Sequence, residues 1–342
     1  MANESYFTLT DYYFYYDEYQ IYAEDIHAHN IWIYGAPTLL ALGTIGNSLS
    51  ILVMLRKSLR LYTTSLYLIV LAIVDTAVLY TGLLRYWIRE LSNIDIRTLS
   101  VASCKFHIFL VYFLMQFESW IIVCVTVERL AAVFNPHRSK LIFTKRFAAI
   151  QISITALVLI VIDSHFFWSY TLRGDSCDSS NEKYTYFNST VWGWLDFVLA
   201  SLAPFVLMLT ANAAIIARLL LLQRKRKINQ MAAVNRRNNT MTAILLTVNI
   251  VFLLTTAPIA IYLSRVDIWT ARAKTEEDVA RLDIVWASVN IAAYTNNAIN
   301  FVLYCLSSTS FRKELVKMFH LKLSSGEVHP AEGSVVSTVP VN

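Results

Sequence analysis

The chain has 342 residues, of which 56% are hydrophobic and 15% charged, and its formal net charge is +5. Mean hydropathy is positive. A soluble domain of this length carries more polar side chain, so the composition points to a bilayer as solvent and excludes an ordinary soluble enzyme. Nucleic-acid binding is not needed to explain the charge, because the basic residues are distributed as a membrane topology signal.

Residues 1–30 form an acidic, tyrosine-rich tail with Glu4, Asp11, Asp17, Glu18, Glu24 and Asp25. It lacks the basic-then-apolar pattern of a cleaved signal peptide, so the first membrane helix is expected to serve as the targeting signal. The tyrosines between Asp11 and Tyr19 lie among carboxylates and are candidates for sulfation; the alternative is a plain disordered tail.

A bilayer core of about 30 Å asks for about 20 largely apolar residues per helix. Such stretches recur at 31–55, 63–88, 102–134, 146–168, 190–222, 239–264 and 282–306. Lipid offers the backbone no hydrogen-bond partners, and period-2 alternation is absent, so the spans are helices. The expected fold is an all-α seven-helix membrane bundle over residues 31–306. Residues 307–320 follow as a short amphipathic cytoplasmic helix, in which basic and apolar residues alternate from Phe311 to Phe319, and 321–342 as a disordered tail. No cysteine follows that helix to carry a palmitate anchor.

Basic residues gather in alternate connections: Arg56, Lys57 and Arg60; Arg138, Lys140, Lys145 and Arg146; Arg224 to Lys227; Arg312, Lys313 and Lys317. The positive-inside rule makes these cytoplasmic, which puts the N-terminus outside and the C-terminus inside, in the plasma membrane. The glycosylation sequons at Asn3 and Asn188 then fall outside, whereas the one at Asn238 falls inside and is expected to stay unmodified. Cys104, at the outer start of the third helix, and Cys177, in the long outer loop, are placed where a disulfide is permitted; two free thiols are the alternative. Cys124 and Cys305 read as packing residues.

Ionisable and polar residues inside membrane helices are costly and mark candidate sites. They are Asn47, Asp75, Arg85, Glu118, Glu128, Arg129, Asp163, Asp196, Asn212, Asn249, Asn290, Asn296, Asn297 and Asn300. Gly46-Asn47, Leu71 to Asp75, Glu128-Arg129-Leu130, Pro204, Phe252 to Pro258, and Asn300 to Tyr304 with Phe311-Arg312 occur in that order along the helices. Together with Cys104 and Cys177 this pattern resembles the rhodopsin-like (class A) G-protein-coupled receptors over residues 35–320. The segment from Asn300 to Ser307, with Thr256-Ala257-Pro258, looks like neuropeptide receptors of the FMRFamide-receptor kind.

The resemblance implies a receptor for an extracellular ligand that activates a heterotrimeric G protein, with no catalysis. Arg129 is implied to engage that G protein when Glu128 releases it; Pro258, Asn300 and Tyr304 belong to the switch. Asp75 matches the family's buried carboxylate, which holds sodium, and Glu118 stands eleven residues before Arg129, where a serine is usual. Two carboxylates in one place require a cation between them or a proton on one, so either a sodium ion at Asp75 or a shared proton is expected, with Asn47 alongside. A Glu118 that bonds elsewhere is the third possibility.

The departures are Leu130 for tyrosine, Asn212 for tyrosine, Thr256 for tryptophan, Phe301 for proline, and the lack of the family's expected tryptophan in the fourth helix. Helical spacing puts Arg85, Tyr112, Met115, Gln116, Asp196, Tyr262, Arg265, Trp286, Asn290 and Tyr294 at one depth in the outer half, as a ligand pocket. The place near Val111 is apolar, which disfavours an amine ligand, and residues 282–306 hold no lysine for retinal. Both charge signs beside aromatics suit a short peptide. A chemosensory receptor for small molecules is the second reading, and a channel or transporter the third, although internal repeats are not seen. Ser324, Ser325, Ser334, Ser337 and Thr338 are candidate kinase sites, with arrestin as the partner that would follow.

Overall fold

The computed structural model describes residues 23–226 and 236–324. Asn3, the tail tyrosines, Ser325, Ser334, Ser337 and Thr338 lie outside the described residues. Seven long helices form one bundle: α1 (Ala23–Met54), α2 (Thr63–Ser92), α3 (Val101–Phe134), α4 (Lys145–Ser169), α5 from Glu182 to Arg226, α6 (Arg236–Arg272) and α7 (Glu276–Ser307). An eighth helix, α8 (Thr309–Ser324), follows after one residue. Cys104 and the β-hairpin tied to it mark one end of the bundle, called here the disulfide end; Arg129 marks the other.

Among the described residues, six of these helices are apolar and long enough to cross a membrane by composition alone. The one that falls short is α7, whose Asn290, Asn296, Asn297 and Asn300 lower its hydropathy yet are all buried. Its polar residues face neighbouring helices, so the shortfall reflects an inward polar stripe on a spanning helix.

The helices overrun the apolar stretches. Ahead of the apolar stretch that starts at 31, α1 is helical from Ala23, with Glu24 and Asp25 in its first turn, where carboxylates favour the positive helix end. His29 then reaches Glu90 on α2 at 2.9 Å. Such solvated turns leave no hydropathy signal, and for the same reason α5 starts at Glu182 and α6 runs on to Arg272. At the start of α7, Thr275 and Asp278 form a reciprocal capping box.

The most enclosed helix is α3, packed against α2, α4 and α5. Wide π-type turns at Phe187–Trp192 and Phe197–Leu202 precede Pro204 in α5. A proline cannot donate to the carbonyl four residues back. In the turn before it, Ala200 O accepts from Ser119 Oγ of α3 at 2.9 Å, and Leu199 O accepts from Trp120 Nε1 at 3.0 Å. The cost of breaking α5 is thus offset by two bonds to α3.

Between α4 and α5, β1 (Tyr170–Arg173) and β2 (Ser176–Ser179) form an antiparallel hairpin, turned at Gly174 with φ +55°. A Cys104–Cys177 disulfide, Cα atoms 5.5 Å apart, ties β2 to the start of α3. At the other end α8 is held by Glu314, which accepts from Arg56 Nε at 2.9 Å and from Lys317 Nζ at 3.1 Å. The Arg56 guanidinium beside it holds the Glu314 carboxyl below the ordinary value.

Candidate functional site

Halfway along the bundle, α1, α2, α3 and α7 bring their polar residues together. Asn297 Nδ2 donates to both Asp75 Oδ1 (3.1 Å) and Glu118 Oε2 (2.7 Å), so one amide bridges the two carboxylates. Asn300 Nδ2 donates to Asp75 Oδ2 at 2.7 Å, and Asn296 Nδ2 to Glu118 Oε1 at 2.6 Å. Each carboxylate oxygen therefore has one amide donor. The nitrogens must face the carboxylates, since an amide oxygen there would repel them. Asn47 joins from α1 by donating to Asn297 O at 3.0 Å.

Donors are matched here, but charge is not. Two buried carboxylates meet neutral amides, while Oδ1 of Asn47, Asn296 and Asn300 are buried without a hydrogen-bond partner. These amide and carboxylate oxygens are hard ligands of the type sodium takes, so the donor set fits the ion. It fits a shared proton as well. Glu118 bonds to Asn296 and Asn297, and through Asn297 it is linked to Asp75.

At the Arg129 end, Arg129 and Glu128 are both buried, with Nη2 and Oε1 3.6 Å apart. Glu128 Oε1 also accepts from Thr64 Oγ1 of α2 at 3.2 Å. Both side chains retain unused capacity, since Arg129 Nε and Glu128 Oε2 have no hydrogen-bond partner. Nearby, Asn249 Nδ2 of α6 donates to Thr126 Oγ1 of α3 (2.8 Å) and Asn212 Oδ1 of α5 (3.0 Å). Asn212, which departs from the usual tyrosine, thus joins α5 to α6. Pro258 lies inside α6. Thr256, in the place of the usual tryptophan, turns its hydroxyl to its own helix at Phe252 O, 2.6 Å away. Tyr304 is fully buried with an unpartnered hydroxyl, edge-on to Phe311 of α8 at 5.6 Å.

At the disulfide end the expected pocket divides in two. One part joins α1, α2, α6 and α7 through aromatic contacts: Trp32 stacks on Tyr86 (4.4 Å), and Trp286 meets Tyr86 (6.3 Å) and Tyr262 (5.4 Å). Tyr294 packs so closely on Gly82 that a methyl group there would overlap its ring. Asn290 donates to Trp286 O of its own helix at 2.8 Å. Arg85 lies over the Tyr86 ring at 4.3 Å and pairs with Asp95 at 3.0 Å. Arg97 shares that carboxylate at 2.6 Å. Burial would raise the Asp95 carboxyl, but the two guanidiniums outweigh it and hold it well below the carboxylate range. Arg85 is therefore already paired within the chain.

The other part lies between α3, α4 and α5. Gln116 Nε2 donates to Asp163 Oδ1 (3.3 Å) and Asp196 Oδ1 (3.0 Å), beneath Tyr112. Met115 is half-buried beside it, and Arg265 is exposed on α6. Asn188 lies in the first wide turn of α5, where Nδ2, the atom a glycan would occupy, donates to Ser179 Oγ at 3.0 Å.

Several partners were not assigned to a site from sequence: Asp95, Thr64, Thr126, Asp163, Asn296 and Asn297. The last three carried the signal that finds them, a polar residue within a span. Asp95 lies in a connection, and Thr64 and Thr126 are ordinary in helices, so nothing in their sequence context marked them.

The family described as 7 transmembrane receptor (rhodopsin family) matches residues 46–304. The chain is 24% identical to the human C-C chemokine receptor type 1 over 290 residues, covering 83% of this chain and 78% of that one. It is 29% identical to the human G-protein coupled receptor 65 over 121 residues, 35% of each. The match takes in all the polar clusters above, from Asn47 to Tyr304, and the chain belongs to the rhodopsin family of seven-transmembrane receptors.

Proposed function

We propose that this G-protein-coupled receptor has its disulfide end outside the cell, binds a short peptide there, and activates its G protein through Arg129 at the cytoplasmic end. The observation that carries this is the Glu128–Arg129 pair. It is a buried ion pair at 3.6 Å, with unused hydrogen-bonding capacity on both partners, at the end where the basic connections gather. A held guanidinium that gains a better acceptor when the helices shift is a two-state element.

Three features support a peptide. Paired and aromatic side chains are spread across the disulfide end on all seven helices. The seventh-helix segment is similar to the FMRFamide-receptor kind. The longer of the two matches described above is to a protein named as a C-C chemokine receptor. The polar core around Asp75 and Glu118 takes a sodium ion or a shared proton and links the two ends. Kinase and arrestin would act on the C-terminal serines.

Cells expressing the chain with calcium and cyclic-AMP reporters, challenged with a neuropeptide library beside odorant-type small molecules, test the reading. A saturable response to one or more peptides is expected. Responses confined to small molecules overturn the peptide assignment, and ion flux independent of any G protein overturns the receptor mechanism.

A further inference from the structure

The α3–α4–α5 cluster is built alike on each helix. Gln116, Asp163 and Asp196 carry the polar groups, and an aromatic stands one turn nearer the disulfide end on each: Tyr112, Phe166 and Trp192. These rings touch one another, with Tyr112 stacked on Phe166 at 4.6 Å and Trp192 edge-on to both at 5.2 and 6.0 Å. Beneath them two carboxylates share one neutral amide.

That amide leaves the cluster short of donors. Gln116 and Asp163 are completely buried, yet Gln116 Oε1 and Asp163 Oδ2 have no hydrogen-bond partner. An unpartnered acceptor at such depth costs about 1–3 kcal/mol, more when charged. What completes the cluster has several N–H donors and positive charge, and is compatible with aromatic faces. A primary ammonium or a guanidinium meets all three conditions; a neutral amide supplies only the donors.

We propose that Asp163, Asp196 and Gln116 form a subsite for an organic cation, the ammonium or guanidinium of the receptor's ligand. The assignment rests on the receptor reading above and adds to it the charge of the group recognised. Arg85 and Arg97 are both held by Asp95, and among the described residues neither Asp163 nor Asp196 has a basic side chain in an ion pair with it.

The full-length chain, solubilised in detergent, is followed by thermal unfolding with three probes: agmatine, a small molecule with an ammonium and a guanidinium, an N-acetylated dipeptide amide containing arginine, and its N-acetylated citrulline counterpart as the neutral control. Sodium chloride at matched ionic strength is run alongside. Agmatine, the arginine peptide or both are expected to raise the unfolding temperature. A response to agmatine alone identifies a small amine as the source of the cation, and a response to the peptide identifies a basic side chain.

Asp163→Asn and Asp196→Asn are each expected to weaken the effective probe roughly tenfold or more, while the unliganded variants melt no lower than the parent. Asp196→Asn, at the less buried site, carries the test if Asp163→Asn does not fold. Equal shifts from the citrulline peptide, equal shifts from sodium chloride, or unchanged affinity in both variants would overturn the proposal. Cation binding without any G-protein response would sink the receptor reading alone. Signalling by neutral ligands only, with no cation shift, would sink this subsite alone.

Discussion

Two pairs of carboxylates flank α3, and they are answered differently. Glu118 and Gln116 are two residues apart, about 200° around the helix, so they face opposite sides. On one side Asp75 and Glu118 meet Asn296, Asn297 and Asn300, one donor for every carboxylate oxygen. On the other, Asp163 and Asp196 share the nitrogen of Gln116. In the first cluster every carboxylate oxygen is bonded and the unpartnered atoms are the amide oxygens of Asn47, Asn296 and Asn300, an arrangement that suits a small cation or a proton and a switch that stays assembled. The second needs charge and donors together, which a ligand can bring. Buried polar groups with the same composition can thus belong to the resting architecture or to a binding site, and the donor count separates them.

Asn297→Ala gives the largest expected loss of stability. Interhelical hydrogen bonds in membrane proteins average about 0.6 kcal/mol, whereas bonds to charged groups are worth roughly 1.5–3 kcal/mol. Asn297 supplies two of the latter, so a loss of about 3 kcal/mol or more is expected, seen as a lower unfolding temperature. Gln116→Ala, made beside it, sharpens the contrast. It should depress stability and also diminish the upward shift given by the cationic probe, whereas Asn297→Ala should lose stability and keep the full shift.

Glu118→Gln tests the charge requirement. In membranes, agonist affinity of the parent should depend on sodium or on pH, and the variant should lose that dependence. Indifference to both in the parent would mean that the pair is silent in signalling. The smallest effect is expected for Glu314→Ala. A partly exposed ion pair contributes no more than about 1 kcal/mol, so global melting should barely move while hydrogen exchange in α8 rises.

The seven crossings were legible because lipid demands long apolar helices, and apolar runs survive in any reading of the sequence. Their ends were not, since turns such as Ala23–Asn30 and Trp269–Arg272 continue beyond the apolar stretch into polar residues. The meeting of Asp75 with Glu118 was readable from the resemblance, while the bridge through Asn297 required knowing which way α7 is rotated. Arg85 looked available for a ligand from its depth alone. Its neutralisation depends on Asp95, which folds back from a connection that hydropathy cannot place. Asp163 was conspicuous as a charge in a span, yet its partnership with Asp196 rests on wide turns in α5 that no periodicity announces.

The central claim is that the Arg129 end reports on what binds at the disulfide end. Arg129→Ala, expressed at the cell surface and assayed in parallel for ligand binding and G-protein activation, tests it most directly. Activation should be abolished while ligand binding is largely retained. Loss of binding with undiminished activation per bound ligand would contradict the account.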